Sequence, residues 1–356
     1  MGHGLRIRGD SLYCPLALSL DSYSNCFNDC WHCYLRRLNH IWSDELSPTN
    51  TEDLNRKLQN GLKNPNPKSN IAWALKHKKT IRFGDKADPF QSIERKHKIS
   101  KRILEILVDL RWSFVIQTMC TEVMMDYEDC IVNSANLATV QPIISPGAEM
   151  DWEILERKRT TPIPDRFLHM KTLKKQGVKI AVNGEPFIPG FHTVKMFEDM
   201  IKRLKANGIK NYNTYNFHFN DFVAKRLVKI GIDIEKIWEM NQDENWKPVL
   251  QQLCDITKKH NIVLGCPDFV NVKRDWKCET NTCCGIDVEN PTSYNAHTWR
   301  NLIIDGMPID DIVKQTWDGI GNYDDGIKIL TGKSKNMYTF VDAGLIEKKS
   351  EGGLIF

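Results

Sequence analysis

The chain has 356 residues, 41% hydrophobic and 26% charged, a balance that fits a globular protein and excludes wholesale disorder. Its 49 basic and 45 acidic residues leave a formal charge of +4, which permits nucleic-acid binding without demanding it. No apolar run reaches the roughly 18–20 residues that span a bilayer, and Met1 to Asp10 lacks the apolar core of a secretory signal. A cytoplasmic protein with no membrane partner is expected.

Along residues 1–220, short apolar runs alternate with longer amphipathic ones, the pattern of β/α units with parallel strands. Strands are expected near residues 16–20, 80–83, 114–118, 139–144, 178–182 and 213–217. Helices near 99–110, 166–176 and 194–206 carry apolar residues at three- and four-residue intervals, and Gly177 and Gly208 stand as stops for the last two. Residues 44–70, rich in Asn, Pro, Ser and Lys, read as a polar surface insertion. Six such units make an α/β fold, an open partial (β/α)6 TIM-like barrel with its chemistry on loops at the strands' C-terminal ends. From 221 to 356 the pattern loosens into a C-terminal cysteine-rich extension. The basic runs from Lys76 to Arg82 and from Arg95 to Arg102 read first as solvated helix faces.

Eleven cysteines are many for a reducing compartment, and their spacing is informative. Cys26, Cys30 and Cys33, at C-x3-C-x2-C with Tyr34 next, can cap one face of a cubane iron–sulfur cluster from a single loop. Three thiolates leave one of four irons open for an exchangeable ligand. Zinc competes, but it needs a fourth ligand, for which His32 stands inside the loop. Cys266, Cys278, Cys283 and Cys284 form a second group that favours a metal. A second iron–sulfur cluster is the first choice there and structural zinc the alternative. One of the adjacent Cys283 and Cys284 can be a bystander, with Cys254 a substitute.

The run Cys26, Cys30, Cys33, Tyr34 resembles the signature of the radical S-adenosylmethionine (radical SAM) enzymes. Residues 81–91 with Glu94, then Leu155-Glu156 through Arg166, Leu173 to Gly177 and Pro186 to Gly190 resemble, in order, segments of the spore photoproduct lyase-like subgroup. That resemblance implies the partial barrel, a [4Fe–4S] cluster and S-adenosylmethionine. It implies reductive cleavage of the latter to a 5′-deoxyadenosyl radical, fed by a one-electron donor such as flavodoxin or ferredoxin. The hard chemistry then belongs to the cofactors, and the protein positions them and excludes water.

The same resemblance nominates further residues. Tyr34, Asp85, Ser145 and Arg159 are expected to contact the cofactor, Asp85 through its ammonium group and Arg159 through its carboxylate. For Asp88, a turn role before Pro89 stands level with a functional one. Period-two alternation puts Thr214, Asn216 and His218 on one face of the last strand, and buried polar residues there point to a ligand. Photoproduct lyases carry a hydrogen-donating cysteine after the second strand, where this chain has none. Cys120, after the third strand, is the remaining donor, with a buried structural thiol as its competing role. Modification of a nucleobase, nucleotide or nucleic acid is therefore expected rather than repair. The alternatives are a radical enzyme acting on a peptide or small metabolite, and a non-catalytic zinc or iron–sulfur protein that binds nucleic acid.

Overall fold

The computed structural model describes residues 4–7, 16, 18–35, 46–67, 69–214, 217, 219–265, 308, 347–348 and 354–355. The strands that position the site are β1 (Leu5–Ile7), β2 (Leu18–Leu20), β3 (Ile81–Phe83), β4 (Phe114–Thr118), β5 (Ala138–Pro142), β6 (Lys179–Ile180), β7 (Val182–Asn183), β8 (Asn211–Asn213) and β9 (Val263–Gly265). Strands β1 to β6 form a sheet in sequence order, and β7 to β9 form a second. Every pairing from β2 onward in these two sheets is parallel, whereas β1 runs antiparallel on the β2 edge. The Ala181 N–H donates to Val140 O at 3.1 Å and Ile143 bridges Asn183, so the two sheets join into one open arc.

Helices cross between the strands: α1 (Thr51–Lys63), α2 (Asn70–Lys76), α3 (Glu94–His97), α4 (Ile99–Asp109), α5 (Thr121–Met125), α6 (Glu128–Asn133), α7 (Glu149–Ile154), α8 (Ile163–Lys175), α9 (Val194–Ala206), α10 (Asp221–Val228), α11 (Ile234–Met240) and α12 (Asp243–His260). This is the architecture of a partial α/β barrel. No helix among the described residues is long and apolar enough to cross a membrane.

Three expectations change. The insertion expected over 44–70 is no surface excursion in its described part, 46–67 and 69–70: Asn50 caps α1 by accepting from the Glu52 and Asp53 N–H groups, and Leu54 and Leu58 are fully buried. Their i, i+4 stripe hides in a polar average, and α1 serves as a crossover from β2 to β3. The last strand ends at Asn213 rather than near residue 217, because Phe217 leaves the sheet to pack with Val223, Leu227 and Ile237. The parallel pattern also continues past 220, where α10 to α12 lead to β9 beside β8.

The strand faces are sharply divided. Leu18, Leu20, Ile81, Phe83, Phe114, Ile116 and Val140 pack against Leu54, Leu58, Ile103 and Leu107 of the helices. The opposite face carries Ser19, Arg82, Gln117, Thr139, Gln141, Asn183 and Asn213. Parallel strands covered on both faces are usually apolar throughout, so this polar lining sets the inner, concave wall apart from an ordinary core.

Candidate functional site

The loop after β2 brings three cysteines outside any disulfide, Cys26, Cys30 and Cys33, to the strand's C-terminal end. Its shape comes from its neighbours. Gln91 clasps it twice, donating to Asn25 O at 2.9 Å and accepting from the Phe27 N–H at 2.8 Å. Asp29 takes the left-handed conformation, with φ 52°. The Trp31 N–H then donates to Leu155 O at 2.8 Å, and the Cys33 N–H to Cys30 O at 3.1 Å.

Cys30 is buried, and Cys26 and Cys33 are partly so. Burial first, then the Asp88 carboxylate, pushes the Cys26 thiol up to about 12, and burial lifts Cys30 well above its ordinary value. Both are therefore protonated at neutral pH, and ligation to a metal would release those protons. Among the described residues no group of three or more His, Cys, Asp or Glu closes around a point that could hold a metal ion. Among these residues there is thus no preformed single-ion site. The donor chemistry still suits a cubane cluster, whose corners hold thiolates apart, and the Asn28 and Asp88 backbones lie within hydrogen-bond reach of Cys26 Sγ.

The loop after β3 faces the thiols. Asp21 organises it: Oδ1 accepts from the N–H groups of Asp85 (2.9 Å), Lys86 (2.8 Å) and Ala87 (3.1 Å), and Oδ2 pairs with Arg6. The Asp85 carboxylate sits 3.1 Å from Arg6 and 3.5 Å from Arg82. Asp88 is more than a turn residue. It accepts from Thr118 Oγ1 and the Met119 N–H, each at 2.7 Å, and from the Phe90 N–H at 2.9 Å, with Asn28 Nδ2 at 3.4 Å. One carboxylate thereby ties three loops together.

Gly84 permits this crowding. Its φ is +92°, and an added Cβ would fall 2.4 Å from Gln117 O and 2.7 Å from Pro89 Cδ. Gly84→Ala is expected to cost roughly 2–4 kcal/mol, from the left-handed backbone and the overlap, as a lower urea midpoint with an unchanged slope.

On the concave wall, Arg82 Nε donates to Gln117 Oε1 at 2.5 Å, and Gln117 is register-paired with Gln141 on the next strand. Gln141 Nε2 and Ser19 Oγ are buried there without a hydrogen-bond partner. Tyr34 stands in the field of Asp85, Glu185 and Arg82; burial, then those carboxylates, raises its hydroxyl well above the ordinary value.

The loops after β5 and β7 complete the surroundings. Ser145 donates to Asp151, which also accepts from the Gly147 N–H at 3.0 Å and lies 2.9 Å from His192 Nε2. Because His192 Nδ1 accepts from the Ile188 N–H at 2.9 Å, its Nε2 carries the hydrogen donated to Asp151. Burial works against the Asp151 charge, yet His192 and Ser145 hold this carboxyl below its ordinary range. Beneath them Arg166, fully buried, pairs with Glu156 and donates to Thr161 O at 2.7 Å and Thr160 Oγ1 at 2.8 Å. Arg157 bonds Asp29, and Arg159 lies 3.6 Å from the same carboxylate.

The structure therefore brings Cys26, Cys30, Cys33, Tyr34 and Asp85 to the barrel's C-terminal end. Cys120 joins them through Asn28, whose Nδ2 is 3.3 Å from its sulfur, and the thiol is buried. Ser145 is nearby but spends its hydrogen on Asp151, and Arg159 faces Asp29. Asn216, His218, Cys266, Cys278, Cys283 and Cys284 lie outside the described residues. Sequence reasoning missed Asp21, Asn28 and Arg226, and it held Gln91 within the resembling segment 81–91 without giving it a role. Of the three missed, only Asp21 left a signal, a carboxylate directly after an apolar strand end.

The chain matches no family model and no curated protein. Solved structures do match its fold. A cysteine-to-serine mutant of spore photoproduct lyase aligns over 74% of this chain and 79% of its own at 12% identity, with a TM-score of 0.57. The lyase complexed with a dinucleoside spore photoproduct aligns over the same shares at 11% identity, TM-score 0.55. SuiB of Streptococcus suis, bound to S-adenosylmethionine, aligns over 71% of this chain at 10% identity, TM-score 0.51. This chain covers 51% of SuiB, about half its length. The resemblance carried by the three-cysteine motif is thereby borne out at the level of fold.

Proposed function

We propose that the chain is a radical S-adenosylmethionine enzyme acting on a nucleobase, nucleotide or nucleic acid. One observation carries the reading: a single loop at the end of the first parallel strand presents three cysteines at ligand spacing beside a polar concave wall. Cys26, Cys30 and Cys33 would hold a [4Fe–4S] cluster, which with S-adenosylmethionine supplies one-electron cleavage of that cofactor and hydrogen abstraction.

The chain's own residues bind and shield. Asp21 and Gly84 fix the loop bearing Asp85, whose carboxylate, already beside Arg6 and Arg82, is proposed to take a cationic ligand group as well. Ser19 and Gln141 offer unpaired hydrogen-bonding atoms to a neutral polar heterocycle, a demand that a nucleobase meets. The lyase structure holding a dinucleoside supports that substrate class on a shared fold. Cys266, Cys278, Cys283 and Cys284 are proposed to hold a second cluster, with zinc the alternative, and flavodoxin or ferredoxin to supply the electron.

The test is anaerobic reconstitution, followed by incubation with dithionite and S-adenosylmethionine. 5′-Deoxyadenosine should form with wild type and fall to the blank level in Cys30→Ala. Intact S-adenosylmethionine with an iron-loaded wild type would refute the reading. For the substrate, oligonucleotide binding that weakens steeply with salt supports nucleic acid, and salt-indifferent turnover of a free nucleotide excludes it.

A further inference from the structure

Arg226, on α10, grips the cysteine loop from 195–197 residues away in sequence. Its Nε donates to Trp31 O at 3.2 Å, and its Nη2 reaches Cys30 O at 3.0 Å, Asp29 O at 3.1 Å and Asp29 Oδ1 at 3.0 Å. The side chain is 13% exposed. Its guanidinium stands 5.0 Å from the Trp31 ring centroid and 5.7 Å from that of Phe222. Arg157 mirrors it, also 5.0 Å from the Trp31 ring and bonded to the other Asp29 oxygen. Trp31 of the loop is thus shared by two arginines, and Asp29 by those two and Arg159.

Three successive carbonyls converging on one cation dictate where the other side of the backbone points. In a planar trans peptide each C=O is antiparallel to the next N–H. Drawing the Asp29 and Trp31 carbonyls to Arg226 therefore turns the N–H groups of Cys30 and His32 away from it. The intervening Trp31 N–H is committed to Leu155 O. Amides turned to one side around a left-handed residue, here Asp29, form the concave nest that receives anions and iron–sulfur clusters.

We infer that Arg226 is a positioning residue that shapes the cluster loop by holding its carbonyl side, so that its amide side and the Cys30 thiol face the cluster. The inference rests on the functional reading above. It also makes α10, from the region read in sequence as an extension, part of the cluster site. Lysine cannot replace the fork, because one ammonium cannot span these acceptors or stack on Trp31 as a planar guanidinium does.

The test uses full-length Arg226→Gln and Arg226→Lys, with folding checked by circular dichroism and urea midpoint. Without metal, Cys30 alkylation by iodoacetamide, followed by peptide mass spectrometry, should quicken at least ten-fold in both variants. Buried Cys254 on α12 should stay at the wild-type rate. After reconstitution, loss of cluster absorbance to a chelator should quicken about ten- to hundred-fold, the usual scale for residues that orient metal ligands. Wild-type rates in both arms for Arg226→Gln would overturn the inference. Full rescue by Arg226→Lys would overturn it too, since charge alone would then suffice. A wild type that takes up no iron would refute the functional reading, and alkylation would still decide whether Arg226 shapes the loop.

Discussion

Glu156→Gln should destabilise the fold by about 3–5 kcal/mol, the scale for leaving one partner of a buried ion pair uncompensated. Arg166 is fully buried, and Glu156 is its only carboxylate partner among the described residues. Its remaining acceptors are the carbonyls of Ile143 and Thr161 and the Thr160 hydroxyl, none of which carries charge. The consequence reaches the site, since Arg166 links α8 to the chain after β5 and to the loop from 156 to 161. Equilibrium urea unfolding reads the loss. Glu156→Gln combined with Arg166→Met should cost less than Glu156→Gln alone, because the stranded cation is gone. Additive losses would show that the pair is not coupled.

Asp21→Ala should cost roughly 3 kcal/mol, since several backbone N–H groups lose their acceptor at once. The Ala87 N–H is buried and has no route to water, while those of Asp85 and Lys86 are half-buried and recover part of the loss. Arg6 loses its Asp21 partner in the same step and keeps Asp85. The loop after β3 should loosen as a unit, so amide hydrogen exchange at 85–87 should quicken far more than in β4. Equal protection in wild type and variant would mean that the loop holds its shape without Asp21.

Much of the barrel was legible because its signals are local. Residues 114–118 read as a strand and are one, and the helices read near 99–110 and 194–206 fall within a residue of their observed ends. Strong amphipathic period and glycine stops carry that information in the chain itself. The misses have physical causes. Helix α1 buries leucines amid a polar composition that masked them. Strand β1 is three residues long and exists only because it pairs with β2.

The site divides the same way. Three cysteines at ligand spacing announce themselves, since few other uses of that pattern compete. Arg226 is an ordinary surface-type residue in sequence, and its importance comes from which backbone it meets after folding. Ser145 and Arg159 were nominated by resemblance, yet their observed partners are Asp151 and Asp29. A residue's position along a motif says little about which neighbour takes its hydrogen bond.

The central claim is that Cys26, Cys30 and Cys33 hold an iron–sulfur cluster. Iron and acid-labile sulfide, counted with zinc on anaerobically reconstituted protein, test it most directly, for wild type and for Cys26→Ala/Cys30→Ala/Cys33→Ala. The account predicts that the variant loses about four irons per chain, with its circular dichroism unchanged. A drop from about eight irons to about four would also support the second cluster at 266–284. Equal iron in the two proteins, or a wild type that takes up none, would contradict the account.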